Sequence, residues 1–535
     1  MSVQALGGPV RAQRSKLRLE HFVMGGAVLC LIVLVVLPLF SLLLGSVKGE
    51  AGLSLEHFQE VMTGRLYLTA LKNSLILGAW TGLFSLLIGV SLAWAVSRTN
   101  VPAKPLIQIT ASLSYLSPPF LTAIAYVYLY SPNAGLLNVL LRDVLGVPWL
   151  TFNVFSMTGL VLVTVLHTFP FVYLLASSAL QSVDASYEEA AQILGAGKFR
   201  TAFSVTAPLV APAILSGTLL SFVNAIALFG SQAIIGLPGR IFTLPTRIYA
   251  LFDYPPEYGL ASAMSLLFIV ITVIALYLQR AFLARRSFVT LGGKGARPQL
   301  MDLGPARWLV FGFVVVTFIV SILLPYGTLI AVSISKSWGL DFWKGLTLDH
   351  YKWILFGYEP TQRAILNSLG LAIVAATVAV LLGAIIGWID LRTRVPGRKL
   401  LDYAALIPLG LPGIVVAVAL IQFWLKMPLA LYGTLAILLL AFGSLVAAGL
   451  TLVGMLALRP LMAKRTIADV VIILTLAAAL LSLPLIGLAY GLHEWTARLS
   501  GGVVDARFIA MVNTALESPL GQISMIPMLA WIAKN

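Results

Sequence analysis

Cysteine is all but missing: Cys30 is the single one in 535 residues, and it lies inside the first apolar run. The chain can therefore form no internal disulfide framework and assemble no Cys/His metal cluster. Charge is scarce too. Only 10% of residues are charged, against roughly a quarter in soluble domains, while 59% are hydrophobic. A phosphate-cradling loop is also lacking. GKFR at Gly197 and GKGA at Gly293 have neither the upstream glycine nor the following Ser or Thr of that motif. The chain is thus read as no ATPase and no enzyme, with no catalytic residues, no metal site and no cofactor. Its net charge of +15 would suggest nucleic acid in a soluble protein. Here the basic residues flank apolar runs, which is the positive-inside pattern of a membrane protein, and nucleic acid is excluded as a partner.

What the chain does have is apolar runs of about 20 residues along its whole length, each long enough to cross about 30 Å of hydrocarbon. They show no period-2 alternation, so helices rather than a barrel satisfy their backbone in lipid. The fold class is all-α, a polytopic helical membrane protein with about twelve transmembrane helices. Spans are predicted near 22–46, 71–96, 107–130, 153–180, 209–235 and 258–283, then near 308–333, 364–390, 401–424, 430–457, 467–491 and 506–532. The first run is too long for a signal-peptide core and is read as a retained span. A basic segment, 1–20, with Arg11, Arg14, Lys16 and Arg18, precedes it and places the N-terminus in the cytoplasm. Alternation from that start puts Arg98/Lys104, Lys198/Arg200, Arg285–Arg307, Arg392–Lys399 and Arg459–Arg465 all on the same side.

The chain also repeats itself. Asn73, Gly89, Trp94, Arg98 and Pro102 recur as Asn367, Gly383, Trp388, Arg392 and Pro396, each 294 positions later without a gap. Pro118 is echoed by Pro412, and LSLEHF from Leu53 by LTLDHY from Leu346. Two parallel units with a pathway between them are the implied architecture.

Between two predicted spans lies SYEEAAQILGAGKFRTAFSVTAPLV, Ser186–Val210. Asp184 and Ser186 are N-cap candidates, acids sit in the first turn, Gly195 permits a sharp turn, and Pro208 is predicted to end the insert before the next span. The order Glu189-Ala190-Ala191, three residues, Gly195, nine residues, Val205, one residue, Ala207-Pro208 resembles the cytoplasmic coupling loop, or EAA loop, of ABC importer permeases. Val205 and Ala207 stand where that pattern has Ile and Leu. The resemblance covers residues 20–440 or so, and SFVNAIALFGSQAIIG from Ser221 is similar to ferric iron permeases and more loosely to those for thiamine or phosphonates.

What the resemblance implies is a permease subunit in the cell inner membrane, moving a solute (ferric iron first) delivered by a periplasmic binding protein. Energy would come from a separate ATP-binding subunit in two copies. The insert 184–208 would form two short helices docking on that subunit, with Glu188, Glu189, Ala190, Ala191, Gly195 and Pro208 as coupling residues. The implied domains are a first permease unit over 21–284, a cytoplasmic linker over 285–306 and the start of a second unit over 307–442. From about residue 443 the echo stops. No second E-A-A and glycine spacing follows, and the tail 443–535 is similar, weakly, to part of a major-facilitator carrier and ends abruptly. The second repeat is thus incomplete or divergent, and the alternative readings are a secondary carrier or an inactive fusion product. Within spans, His167, Asn224 and Gln232 are candidates for the translocation path or for interhelical hydrogen bonding. Pro118, Pro119, Pro170 and Pro212 are candidates for helix breaks or kinks.

Overall fold

The computed structural model describes residues 24–49, 52–284, 300–393 and 407–426, with 397–399 and 401 between them. The basic N-terminal segment, the body of the linker, the spans expected near 430–457, 467–491 and 506–532, and the tail from about residue 443 lie outside the described residues. Two compact units are present, one of Pro38–Leu348 with Gly410–Met427, the other of Met1–Leu37, Asp349–Leu409 and Pro428–Asn535. Among the described residues seven helices are long and apolar enough to cross a membrane, and the few strands are two-residue pieces.

The first of these is α1, Met24–Val47. A short amphipathic α2, Glu56–Thr63, ends at Gly64, and α3, Arg65–Arg98, starts at once. At 34 residues, α3 is about 50 Å long, well beyond the hydrocarbon thickness. Then come α4, Lys104–Leu116, and α5, Pro119–Tyr130. The single span predicted over 107–130 is therefore two short helices. Ser117 and Pro118 are extended, with ψ of 127° and 125°. Adjacent prolines remove two donors, and Pro119 drives Pro118 out of the helical region. The lone Pro170 and Pro212 sit inside continuous helices instead.

Helix α6, Met157–Ser182, is capped by Ser156, whose hydroxyl accepts from the Gly159 N–H. The insert holds α7, Ala185–Ile193, and the start of α8, Lys198–Ala227. Helix α9, Leu244–Ala250, and α10, Tyr258–Ala284, complete the first repeat. The core of this unit is α3, α6 and α8. Their contact faces carry small residues, among them Ser74, Gly78, Gly82, Ser85 and Gly89 on α3, which let apolar helices approach closely in lipid. A β-carbon at Gly89 would lie 2.7 Å from Val172 Cβ and 2.9 Å from Phe169 O, and one at Gly217 would lie 2.8 Å from Val172 Cα. Val172 of α6 is thus clasped between a glycine of α3 and a glycine of α8. Polar atoms pin the same faces: Ser85 and Thr168 hydroxyls are 3.0 Å apart, and Ser221 Oγ donates to Thr168 O at 2.9 Å.

Helix α11, Gly304–Ser333, follows the linker. The repeat reappears in the backbone. Helix α12, Glu359–Arg392, has the same 34 residues as α3, and both of its ends fall 294 positions later. Thr99 and Thr393 end the two helices in extended conformation, each hydroxyl donating to the carbonyl four residues back at 2.7 Å. Ala103 and Gly397 then both take positive φ, 53° and 87°. Pro412 precedes α13, Gly413–Leu425, as Pro118 precedes α5, with ψ of 137° and 125°. What recurs is the set of residues that stop and turn the chain.

Candidate functional site

The insert is built from its caps. After α6, Val183 is extended and Asp184 Oδ1 accepts the Ser186 N–H at 2.9 Å. That bond holds the Asp184 carboxyl below its ordinary range and supplies the N-cap of α7. At the other end the Ala196 N–H reaches Ala191 O at 2.9 Å and the Gly195 N–H reaches Gln192 O at 2.9 Å. This Schellman closure requires a left-handed residue, and Gly195 provides it with φ of +84°. Gly197 starts α8.

Here the structure departs from the sequence expectation. The second piece is not a separate short helix ended by Pro208; Lys198–Ala227 is one helix of 30 residues running through Pro208. A wide π-type turn at Ala202–Thr206 lies just before it, with the Ala207 N–H bonded to Ala202 O. The ladder is already displaced at that turn, so the donor that proline lacks falls where the helix accommodates its loss.

Two faces result. Outward, Tyr187, Ile193, Leu194, Phe199 and Phe203 are exposed, Ile193 to 85% and Leu194 to 88%. Ala190 and Gly195 are exposed with them, while Glu189 and Ala191 are half-buried. Inward, Glu188 meets Arg98 at the end of α3, with Arg98 Nη2 3.3 Å from Glu188 Oε1 and side-chain exposures of 3% and 13%. Thr206 Oγ1 donates to the same Oε1 at 2.8 Å. A cavity of about 70 Å³ adjoins the pair, lined also by Trp94, Lys198 and Thr201. Arg98, Thr206 and the exposed phenylalanines were not legible as site residues. Arg98 carried one signal, its recurrence at Arg392.

The three path candidates, His167, Asn224 and Gln232, are not brought together: among the described residues no hydrogen bond joins any two of them. His167 on α6 lies beside the backbone of Ser114 and Ser117, at the break between α4 and α5. Asn224 donates along α8 to Leu220 O at 2.9 Å. Gln232 is fully buried; its Nε2 donates to Ala225 O at 2.8 Å and its Oε1 accepts from the Thr243 hydroxyl. It pins the chain after α8 to the N-cap of α9. Gln232→Leu should therefore lower stability by about 1–2 kcal/mol, read as a lower midpoint of thermal unfolding in detergent. An unchanged midpoint would mean that the amide holds nothing together.

Residues 85–288, which contain the insert, match the family described as binding-protein-dependent transport system inner membrane component. The chain is 25% identical over 430 residues to the ferric transport system permease protein FbpB of Actinobacillus pleuropneumoniae, covering 76% of this chain and 60% of that one. It is 33% identical over 221 residues to the molybdenum transport system permease protein ModB of Escherichia coli K12, covering 41% of this chain and 93% of ModB. A bacterial ABC transporter involved in import of the acidic polysaccharide alginate is similar in structure at 18% identity and TM-score 0.43, over 51% of this chain and 98% of that one. The chain thus spans about three fifths of the ferric transport relative, and nearly all of ModB is matched within it. With that coverage of a relative one-third identical, and the insert inside the matched segment, the chain belongs to the family of binding-protein-dependent transport system inner membrane components.

Proposed function

We propose that the chain is the membrane-spanning permease of an ATP-driven importer. It takes a solute from a periplasmic binding protein and couples passage to ATP hydrolysed on separate subunits, two in the full assembly. The observation that carries this reading is the outward face of the insert. Ile193, Leu194, Phe199 and Phe203 form apolar surface on a segment between spans, capped and turned at fixed points. Exposed apolar area of this kind calls for a protein partner. The basic clusters put it on the cytoplasmic side with the N-terminus, where ATP is. The two repeats are read as parallel permease units, with linker 285–306 between them and 443–535 as a divergent tail. His167 and Asn224 remain path candidates; the Gln232 amide, used on both sides, serves the fold.

Ferric iron is the solute we place first, because FbpB aligns with 76% of the chain and ModB with 41%. Affinity purification in mild detergent from the native host, with identification of co-purifying chains, tests the assembly. An ATP-binding subunit and a solute-binding protein are expected. A chain that purifies alone and supports uptake on an ion gradient without ATP would overturn the reading in favour of a secondary carrier.

A further inference from the structure

A charged guanidinium 2% exposed at the end of a membrane-spanning helix needs an explanation. The partner of Arg98 is one carboxylate oxygen, met as an ion pair at 3.3 Å, and none of its three guanidinium nitrogens has a hydrogen-bond partner among the described residues. That same oxygen takes the Thr206 hydroxyl from the wide turn of α8. The backbone around Arg98 is engaged as well. Arg98 O accepts the Met301 N–H at 2.8 Å, the Asn100 N–H donates to Met301 O at 3.2 Å, and Asn100 Oδ1 accepts the Leu303 N–H at 3.1 Å. Gly304 N–H and Asn100 together hold the Asp302 carboxyl below its ordinary range. The end of α3, the first turn of α7, the base of α8 and the entry to α11 thus meet within one cluster.

We propose that Arg98 is a positioning residue for α7: through Glu188 it fixes the coupling helix to the cytoplasmic end of α3, so that the two glutamates of α7 have different tasks. Glu188 faces inward and orients the helix, leaving the outward face to the partner. This rests on the reading of α7 as the ATPase-docking helix. The coupling helix then has a specific attachment to α3 at this pair. The attachment is steep because among the described residues the guanidinium has no second acidic partner, so that loss of Glu188 leaves a buried charge unpaired.

The test is amide hydrogen exchange on the purified full chain in detergent, with no partner present. In Arg98→Met and in Glu188→Gln, the amides of α7 and its closure at Gly195–Ala196 should exchange about tenfold faster. Protection in α6 and in α8 beyond Val210 should stay as in the wild type. The double variant should be no worse than Arg98→Met alone, because both changes remove one interaction. Additive effects, unchanged α7 exchange, or protection lost equally along α3, α6 and α8 would each overturn the proposal, the last by reducing Arg98 to a packing residue. Glu188→Gln sits on the insert and keeps the test alive if Arg98→Met fails to fold. Capture of the ATP-binding subunit is then measured for the same variants and should fall with α7 protection. If the wild-type chain captures no such subunit, the docking reading fails, while the exchange data still decide whether Arg98 holds α7.

Discussion

Gly195→Asp should reduce capture of the ATP-binding subunit by tenfold or more while leaving the chain in the membrane at its normal level. At φ of +84° any side chain other than glycine is strained by about 1–2 kcal/mol. That strain opposes the Schellman closure on which the end of α7 depends. Space is not the difficulty, since nothing lies within 4 Å of a β-carbon there, so the harm stays in the insert. Asp also adds a charge beside Leu194 on the face offered to the partner. Glu189→Lys should act in the same direction by reversing a charge at the docking edge, where such a change costs several kcal/mol. The measurement is pull-down of the ATP-binding subunit normalised to the amount of membrane-inserted chain. Normal capture by both variants would separate the insert from ATPase binding.

The second large effect lies in the core. Gly89→Leu and Gly217→Leu should each destabilise the chain by at least about 3 kcal/mol and remove most of it from the membrane. Both glycines close on Val172, with contacts of 2.7–2.9 Å awaiting any β-carbon, several of them to α6 backbone atoms that cannot rotate aside. The α3–α6–α8 unit would have to separate to admit the side chain. Gly312→Leu is the control. Gly312 lies in a span of the same unit, exposed and with nothing within 4 Å, and its substitution should leave the level unchanged. Equal levels for all three variants, followed by immunoblot of isolated membranes, would show that the clasp does not hold the unit together.

These two sites also show what was legible in the residues alone. The repeat was, because its matched positions include Arg98, Pro102 and Pro118, which sit at or near chain stops and turns, and Gly89, where a β-carbon would meet Val172 at 2.7 Å. Apolar runs located six of the seven long helices to within about six residues at each end, but α8, Lys198–Ala227, begins and ends well before the predicted 209–235 because the polar insert's second half is its first turns. The break at Ser117–Pro118 was open to either reading, since a proline in a span kinks a helix or ends it according to what its neighbours allow. Two adjacent prolines ended it, whereas Pro170 did not. Pro208 was misjudged because the wide turn at Ala202–Thr206 that accommodates it leaves no mark in composition. The inward role of Glu188 was hidden for another reason. Its partner Arg98 is 90 positions earlier, and only the packing of α3 against α6 and α8 brings the pair together.

The central claim is that the outward face of α7 is where an ATP-binding subunit docks, and site-directed cross-linking measures it most directly. In a Cys30→Ser background the chain has no other thiol, so Leu194→Cys and Trp149→Cys each carry a single reactive site, 88% and 81% exposed in the parent residues. The two lie on opposite sides of the membrane in the proposed topology. With the ATP-binding subunit co-expressed, a photoactivated cross-linker at position 194 should give a product with that subunit, and one at position 149 should not. Equal yields from the two positions, or none from 194 while the subunit is bound, would contradict the account.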